Sequence, residues 1–525
     1  MRDKLNLRPW LPWLVALLAI GIAATGKCAA ASDPVLDQFL DLFIKKGFVT
    51  PEEVEKVKAE AEAMRTNSPT ALPESSKWQI SKAIKNVELF GDLRLRYEDR
   101  SAADPQGGSI ELQRIRYAFR VGLRGEIFDD YYYGFRLETA ANPRSPWVTM
   151  GTSASGTPYQ GPFGKSTAGI NLGQIYLGWK PTAWFDVTLG KMSNPLYTTA
   201  MVWDGDINPE GFAEHFKYSV GQADFFANFG QFVYQDTNPS QASPGFFNLD
   251  YNSSNLPFLL AWQIGVNHHV TKTVDFKVAA GLYNYTGRGA NTTPQGYPVA
   301  PDFTGTFVGQ GAKFNYLGNP GSWSGYPTGP YSGFAANQTG INDLLVLEIP
   351  WEVNYKLDKV DLRLFGDYAQ NLDGANRANA AYAAAQSAFQ PVGYEISPIS
   401  SPQTHDVKAY QIGFAIGNKD SLGMVYGTTS RKHAWELRTY WQHVEQYALD
   451  PNLMDSDFFE GRGNLEGIYA AFAYGLTDNL IGTLRYGNAS RINDKLGTGG
   501  SNQDIPQINP IARYNLIQLD LSCRF

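Results

Sequence analysis

From residue 87 to its last residue the chain repeats one unit. The unit is a stretch of alternating apolar and polar side chains, a connection of about three or four residues, a second alternating stretch, and then a connection several times longer. Residues 87–97 put Leu89, Leu93, Leu95 and Tyr97 on one face, and Glu88, Asp92, Arg94 and Arg96 on the other. Residues 112–125 set Ile115, Tyr117, Phe119, Val121 and Leu123 against Arg114, Arg116, Arg120 and Arg124. A period of two is a β-strand with one oily and one wet face. In water each oily face would need a second layer to cover it, whereas in a bilayer lipid does so. Short connections at 128–130, 181–184, 220–222, 270–272, 357–359 and 476–478 alternate with long ones. The link between 407–417 and 435–447 is the exception, being longer than its place predicts. Short turns on one side and long loops on the other are the asymmetry of a bacterial outer-membrane barrel. The segments number about sixteen, enough strands to leave an aqueous channel rather than an interior filled by side chains. The expected fold is an all-β, antiparallel outer-membrane β-barrel over residues 87–525, and such a barrel implies a pore.

The two ends of the chain agree with export to an outer membrane. Ile517, Leu519, Leu521 and Cys523 alternate with Gln518, Asp520, Ser522 and Arg524, and the strand ends on Phe525. An aromatic there suits the lipid–water boundary of a closing strand, the end by which barrel-assembly machinery would take up such a chain. At the other end, Arg2, Lys4 and Arg8 precede an apolar run from Leu11 to Ala24, and Ala29, Ala30 and Ala31 supply a small-residue cleavage pattern. This predicts a secretory signal peptide over 1–31. Cys28 invites a lipoprotein reading, which the bulky, charged Lys27 beside it opposes. With Cys28 removed, Cys523 stands alone, excluding an intramolecular disulfide or a Cys-x-x-Cys metal or haem motif. Residues 32–66 have helical spacing (Leu36, Phe39, Leu40, Phe43), and a second helix starts at Thr50, Pro51 and Glu53 with an N-cap and capping box. A periplasmic helical hairpin is expected there, with self-association or a cell-wall tether as its sharper uses, followed by a linker over 67–86.

Several functions are excluded or left without support. A formal net charge of −7 argues against nucleic-acid binding. Past the signal no run of eighteen apolar residues predicts a transmembrane helix. There is no Gly-x-Ser-x-Gly elbow, phosphate loop or His-Glu-x-x-His motif, so a barrel hydrolase has no residues to name. A barrel sheathing an electron-carrying cytochrome would need a partner, because the chain has no haem-attachment motif. The six histidines are scattered except for His268 and His269. No cofactor is expected. Chemistry in a water-filled barrel is electrostatic, with charged side chains in a constriction selecting by sign and size. By the alternation of their strands Arg94, Arg96, Arg114, Arg116, Arg120, Arg124 and Arg136 all point inward and make a basic wall. The plain alternative is that they are polar filler.

The segment from Gly91 to Gly211 resembles a bacterial family called putative porins. The resemblance rests on residues 42–53 (LFIKKGFVTPEE), 91–98 (GDLRLRYE), 114–124 (RIRYAFRVGLR), 189–195 (LGKMSNP) and 202–211 (VWDGDINPEG), with Asp455–Phe458 (DSDF) and the closing strand beyond. It implies an outer-membrane porin with passive diffusion of small solutes, surrounded by outer-membrane lipid and lipopolysaccharide and assembled as a homotrimer. It names no solute. Similarity to general porins also implies that the third long loop, 193–211, folds into the barrel. Its acids Asp204, Asp206 and Glu210 would then form the acidic side of the constriction, with Asp204 and Asp206 facing the basic wall. Asp204, Asp206, Asn208 and Glu210 loosely resemble oxygen ligands for Ca²⁺, but the spacing lacks the EF-hand pattern, and no metal is expected.

Overall fold

A computed structural model describes residues 83–105, 107–140, 145–151, 169–234, 258–286, 344–379, 401–498, 504–505 and 511–525. The expected signal peptide, the helical hairpin and the linker up to residue 82 lie outside the described residues. The last residues assigned to that linker run beside the end of the second strand, with Ile84 bridging Ile127 and Lys85 N donating to Glu126 O.

The described residues contain seventeen strands. They are β1 (Glu88–Ala103), β2 (Ser109–Ile127), β3 (Tyr131–Ala140), β4 (Val148–Thr149), β5 (Gly169–Thr182), β6 (Phe185–Lys191), β7 (Glu210–Val220), β8 (Ala223–Val233), β9 (Phe258–His269), β10 (Val274–Tyr285), β11 (Leu345–Lys356), β12 (Val360–Asn371), β13 (Lys408–Asn418), β14 (Trp435–Val444), β15 (Leu465–Gly475), β16 (Leu480–Arg491) and β17 (Arg513–Arg524). β4 has only two residues and pairs with β2 alone. The other sixteen pair antiparallel with their neighbours in chain order, and β17 pairs with β1. The sheet therefore closes into a barrel with no edge, the only way strands can satisfy their backbone groups inside lipid. At the seam Arg96 lies opposite Asp520, and Gly91 and Phe525 exchange backbone hydrogen bonds of 3.0 and 3.1 Å.

The alternation read from the sequence is the alternation of the wall. Leu93, Ile115, Phe119, Ile264, Ile412 and Leu484 are exposed on the outside, while Arg96, Glu98, Gln518 and Asp520 are buried inside. In water so much exposed apolar surface would be an aggregation hazard; on a barrel wall lipid covers it. Aromatics cluster at the short-turn end of β3–β7, where Tyr131 stacks on Trp179 and Phe216 packs on Phe185 and Trp184. In outer-membrane barrels aromatic belts mark the membrane boundary and the short turns face the periplasm. One turn, at Gly221, takes a φ of 59°, which a residue without Cβ adopts at no steric cost.

The apolar core lies inside the barrel. The connection between β6 and β7 turns inward and buries Met201, Val202 and Trp203, the last edge-on to Phe232 of β8. Residues 445–464, between β14 and β15, also fold in and bury Leu453, Met454, Phe458 and Phe459 against Tyr440 and Tyr469. The unexpectedly long link between β13 and β14 enters from the opposite end. Its 3₁₀ turn, Met424–Tyr426, buries Met424 and Val425 while the Gly423 and Val425 amides donate to Glu436. The β13–β16 side of the lumen is thus packed from both ends.

Candidate functional site

The alternation of β1, β2 and β3 carries Arg94, Arg96, Arg114, Arg116, Arg120, Arg124 and Arg136 into the lumen, where they meet a nearly equal set of acids. Some of these acids come from the same strands. Arg120 bonds Asp92 at 2.8 Å, Arg136 bonds Glu138 at 2.9 Å, and Arg124 bonds Glu88 at 2.7 Å near the short-turn end. Others come from far along the chain. Arg96 is held by Asp520 of β17 at 2.7 Å and by Asp457 of the β14–β15 connection at 2.6 Å. Arg114 bonds Glu98 and Asp504. Arg116 has the weakest pairing, with Glu98 and Asp504 at 3.9 and 4.0 Å.

The third long loop reaches this wall through one acid. Asp206 lies 3.1 Å from Arg120 and 3.8 Å from Arg94. Asp204 differs from the expectation that it faces the arginines. It is buried and accepts from the Ser456 amide and hydroxyl, while its own amide donates to Leu453 O. Its side chain is used in joining the two inward loops. Glu210 also differs. It opens β7 on the same face as the exposed Phe212 and pairs with Lys191 at 2.5 Å, away from the wall. The parity of its strand turns it outward.

Sequence reasoning gave no role to the β14–β15 connection, although its DSDF segment is among the residues carrying the family resemblance. Asp455, Asp457 and Glu460 come from it, and Glu460 meets Arg100, an inward arginine of β1 outside the expected set, at 3.3 Å. Burial would raise the Asp457 carboxyl, but the Arg96 guanidinium beside it, helped by Arg100, holds it well below the usual carboxylate range. For Asp455 the charge of Arg100 is outweighed. Burial, and then the charge of Asp457, push it up to about 7. Asp204 is raised by burial and next by Asp455. The two loops thus meet through carboxyl groups that favour the protonated form, while Asp206 and Asp457 turn to the arginines.

The far wall anchors the same loop. Thr198 donates to Glu348 of β11 and Thr199 to Asp367 of β12, each at 2.5 Å. Tyr197 covers the Lys277 ammonium, which lies 3.7 Å from its ring centre. The third loop therefore crosses the lumen from the arginine wall to β10–β12. Among the described residues no cluster of His, Cys, Asp or Glu has the arrangement of a metal site.

No curated protein matches the sequence. Among solved structures, the anion-selective porin from Comamonas acidovorans is 8% identical over 84% of this chain and 99% of its own, with a TM-score of 0.40. The outer-membrane channel DcaP of Acinetobacter baumannii is 10% identical over 85% and 99%, with a TM-score of 0.38. OmpT, an outer-membrane protein of Vibrio cholerae, is 10% identical over 85% and 99%, with a TM-score of 0.37. A family model described as "Putative porin" matches residues 106–525, everything after β1 and the start of its loop. The chain belongs to the putative porin family.

Proposed function

We propose that the protein is an outer-membrane channel for passive diffusion of ions and small hydrophilic solutes, narrowed by its two inward loops and selective through charge. The observation that carries this reading is the bridge of Asp206 to Arg94 and Arg120, which brings the tip of an inward loop against a wall of opposite charge. Rings of fixed charge at a constriction sort ions by sign and size without a chemical step. Arg94 and Arg120 each keep 18% of the side chain accessible, so they, with Asp206, are the groups a passing ion meets. Arg96 and Arg114 hold acids of the inward connections, whereas Arg124 and Arg136 pair within the strands. The packed lumen argues against a cytochrome sheath, because the chain's own loops take up the space a haem protein would need. Membrane lipid and lipopolysaccharide surround the exposed wall, the strand ending at Phe525 is the feature assembly machinery would recognise, and a homotrimer is the proposed assembly.

The test is electrical. Purified protein in a planar bilayer should give ohmic single-channel steps. Replacing Arg94 and Arg120 by Gln should move the reversal potential in a salt gradient toward cations, changing the permeability ratio about two- to fivefold. A conducting variant with an unchanged ratio would remove these arginines from selectivity. A wild-type protein that never conducts would remove the channel.

A further inference from the structure

Residues 145–151 turn back into the barrel mouth and continue the sheet beside β2 where β3 has left it. Thr149 and Val148 pair with Arg116 and Tyr117, Met150 N donates to Ile115 O at 2.8 Å, and Thr139 Oγ1 donates to Pro146 O at 2.8 Å. Fixed by these bonds, Trp147 is 3% exposed. Its ring centre lies 4.1 Å from the Arg96 guanidinium, 5.7 Å from that of Arg94 and 5.9 Å from that of Arg116. One indole thus fills the space between three cations.

The three cations are not equivalent. Arg96 is saturated by Asp457 and Asp520, and Arg94 bonds Asp92 at 2.7 Å. Among the described residues Arg116 has no carboxylate closer than 3.9 Å and its Nε has no hydrogen-bond partner, while another of its nitrogens donates to Trp147 O at 3.5 Å. An aromatic face compensates a guanidinium without neutralising it. A space of this shape lined by guanidiniums would otherwise take water and a small anion, since polar cavities hydrate.

We propose that Trp147 is a selectivity-determining residue, whose ring occupies an anion position between Arg94, Arg96 and Arg116 and so withholds Arg116 from permeating ions. The selectivity part rests on the channel reading above, whereas the occupation of the position does not. The wall then presents Arg94 and Arg120, whose side chains are more open than that of Arg116, and the incompletely paired Arg116 counts only when the indole is gone.

Two measurements test this. The first needs no current. Arg116→Cys is exposed to a negatively charged methanethiosulfonate and modification at that position is followed by peptide mass spectrometry. Labelling should be about tenfold faster or more when Trp147→Ala is added, because the reagent then has a path. It should stay slow with Trp147→Phe. Equal rates with and without the indole would overturn the proposal whether or not the protein conducts. The second is the reversal potential. Trp147→Ala should move it toward anions by about two- to fivefold in permeability ratio. Adding Arg116→Ala should reverse that shift, while Arg116→Ala alone should leave the wild-type ratio unchanged. A large effect of Arg116→Ala alone would show that the ring does not shield it. If Trp147→Ala does not assemble, Trp147→Val leaves most of the ring's position open while keeping an apolar side chain there. It should still speed labelling, and a rate equal to that of the unreplaced indole would overturn the proposal.

Discussion

At the scale of single residues, two arginines with the same sequence signature carry different weight. Arg96 and Arg124 both sit on polar faces of alternating strands, yet Arg96 is 2% exposed between Asp457 and Asp520 while the side chains of Arg124 and Glu88 are half in water. Removing one partner from a buried pair leaves an uncompensated charge and costs about 3–5 kcal/mol, whereas an exposed pair contributes about 0–1 kcal/mol. Arg96→Met should therefore lower the temperature at which the barrel loses its compact, fast-migrating form in gel electrophoresis. Arg124→Gln should leave it nearly unchanged. The opposite order would show that the buried network does not hold the barrel together. The inward direction of both side chains was legible in the sequence because a strand has a period of two. Their partners were not, since Asp457 and Asp520 lie 361 and 424 positions away from Arg96 along the chain.

At the scale of elements, the meeting of the two inward loops predicts a response to pH. Asp455 is pushed up to about 7 by burial and by Asp457. Between the ordinary carboxylate range and about pH 7 the folded form keeps a proton that the unfolded chain has released. The stability that this carboxyl contributes to the loop contact therefore falls as pH rises through that window and levels off above it. Asp457 acts in the opposite sense. Its depressed carboxyl stabilises fully at neutral pH and loses that contribution only in strong acid. Amide hydrogen exchange within residues 450–460, corrected for the intrinsic rate, should be slower at pH 5.5 than at pH 7.5. Asp455→Asn should remove most of the difference, and adding Asp204→Asn the rest. A difference of the same size in the double variant would assign the response elsewhere. The sequence marked the third loop through its likeness to general porins, but the loop that meets it was visible only as a short matching segment without a role. Hydrophobic residues in a long connection do not reveal whether they point into a lumen or out to solvent.

At the scale of the molecule, everything depends on the seam. Gly91 and Phe525 pair backbone to backbone, and a Cβ on Gly91 would fall 2.6 Å from Phe525 Cζ and against the Arg120 carbonyl. The aromatic end covers the place where glycine leaves no side chain, which fastens the last strand to the first. Gly91→Val should slow folding into the compact form and raise the unfolded fraction in a gel-shift time course. Gly482→Val meets nothing within 4 Å of its Cβ and should fold at the wild-type rate. Equal rates for the two would show that the seam is not limiting. Strand positions, wall polarity and barrel size were legible in the sequence, because alternation and the rhythm of turns are local properties that lipid outside and water inside impose on every strand. The short connections read at 270–272, 357–359 and 476–478 fall between β9 and β10, β11 and β12, and β15 and β16. The tertiary structure alone decided which long connections fold inward, which arginines are spent on holding them and which stay open to the lumen. Those choices are made by charges brought together across the lumen from opposite ends of the chain, and no local period encodes them.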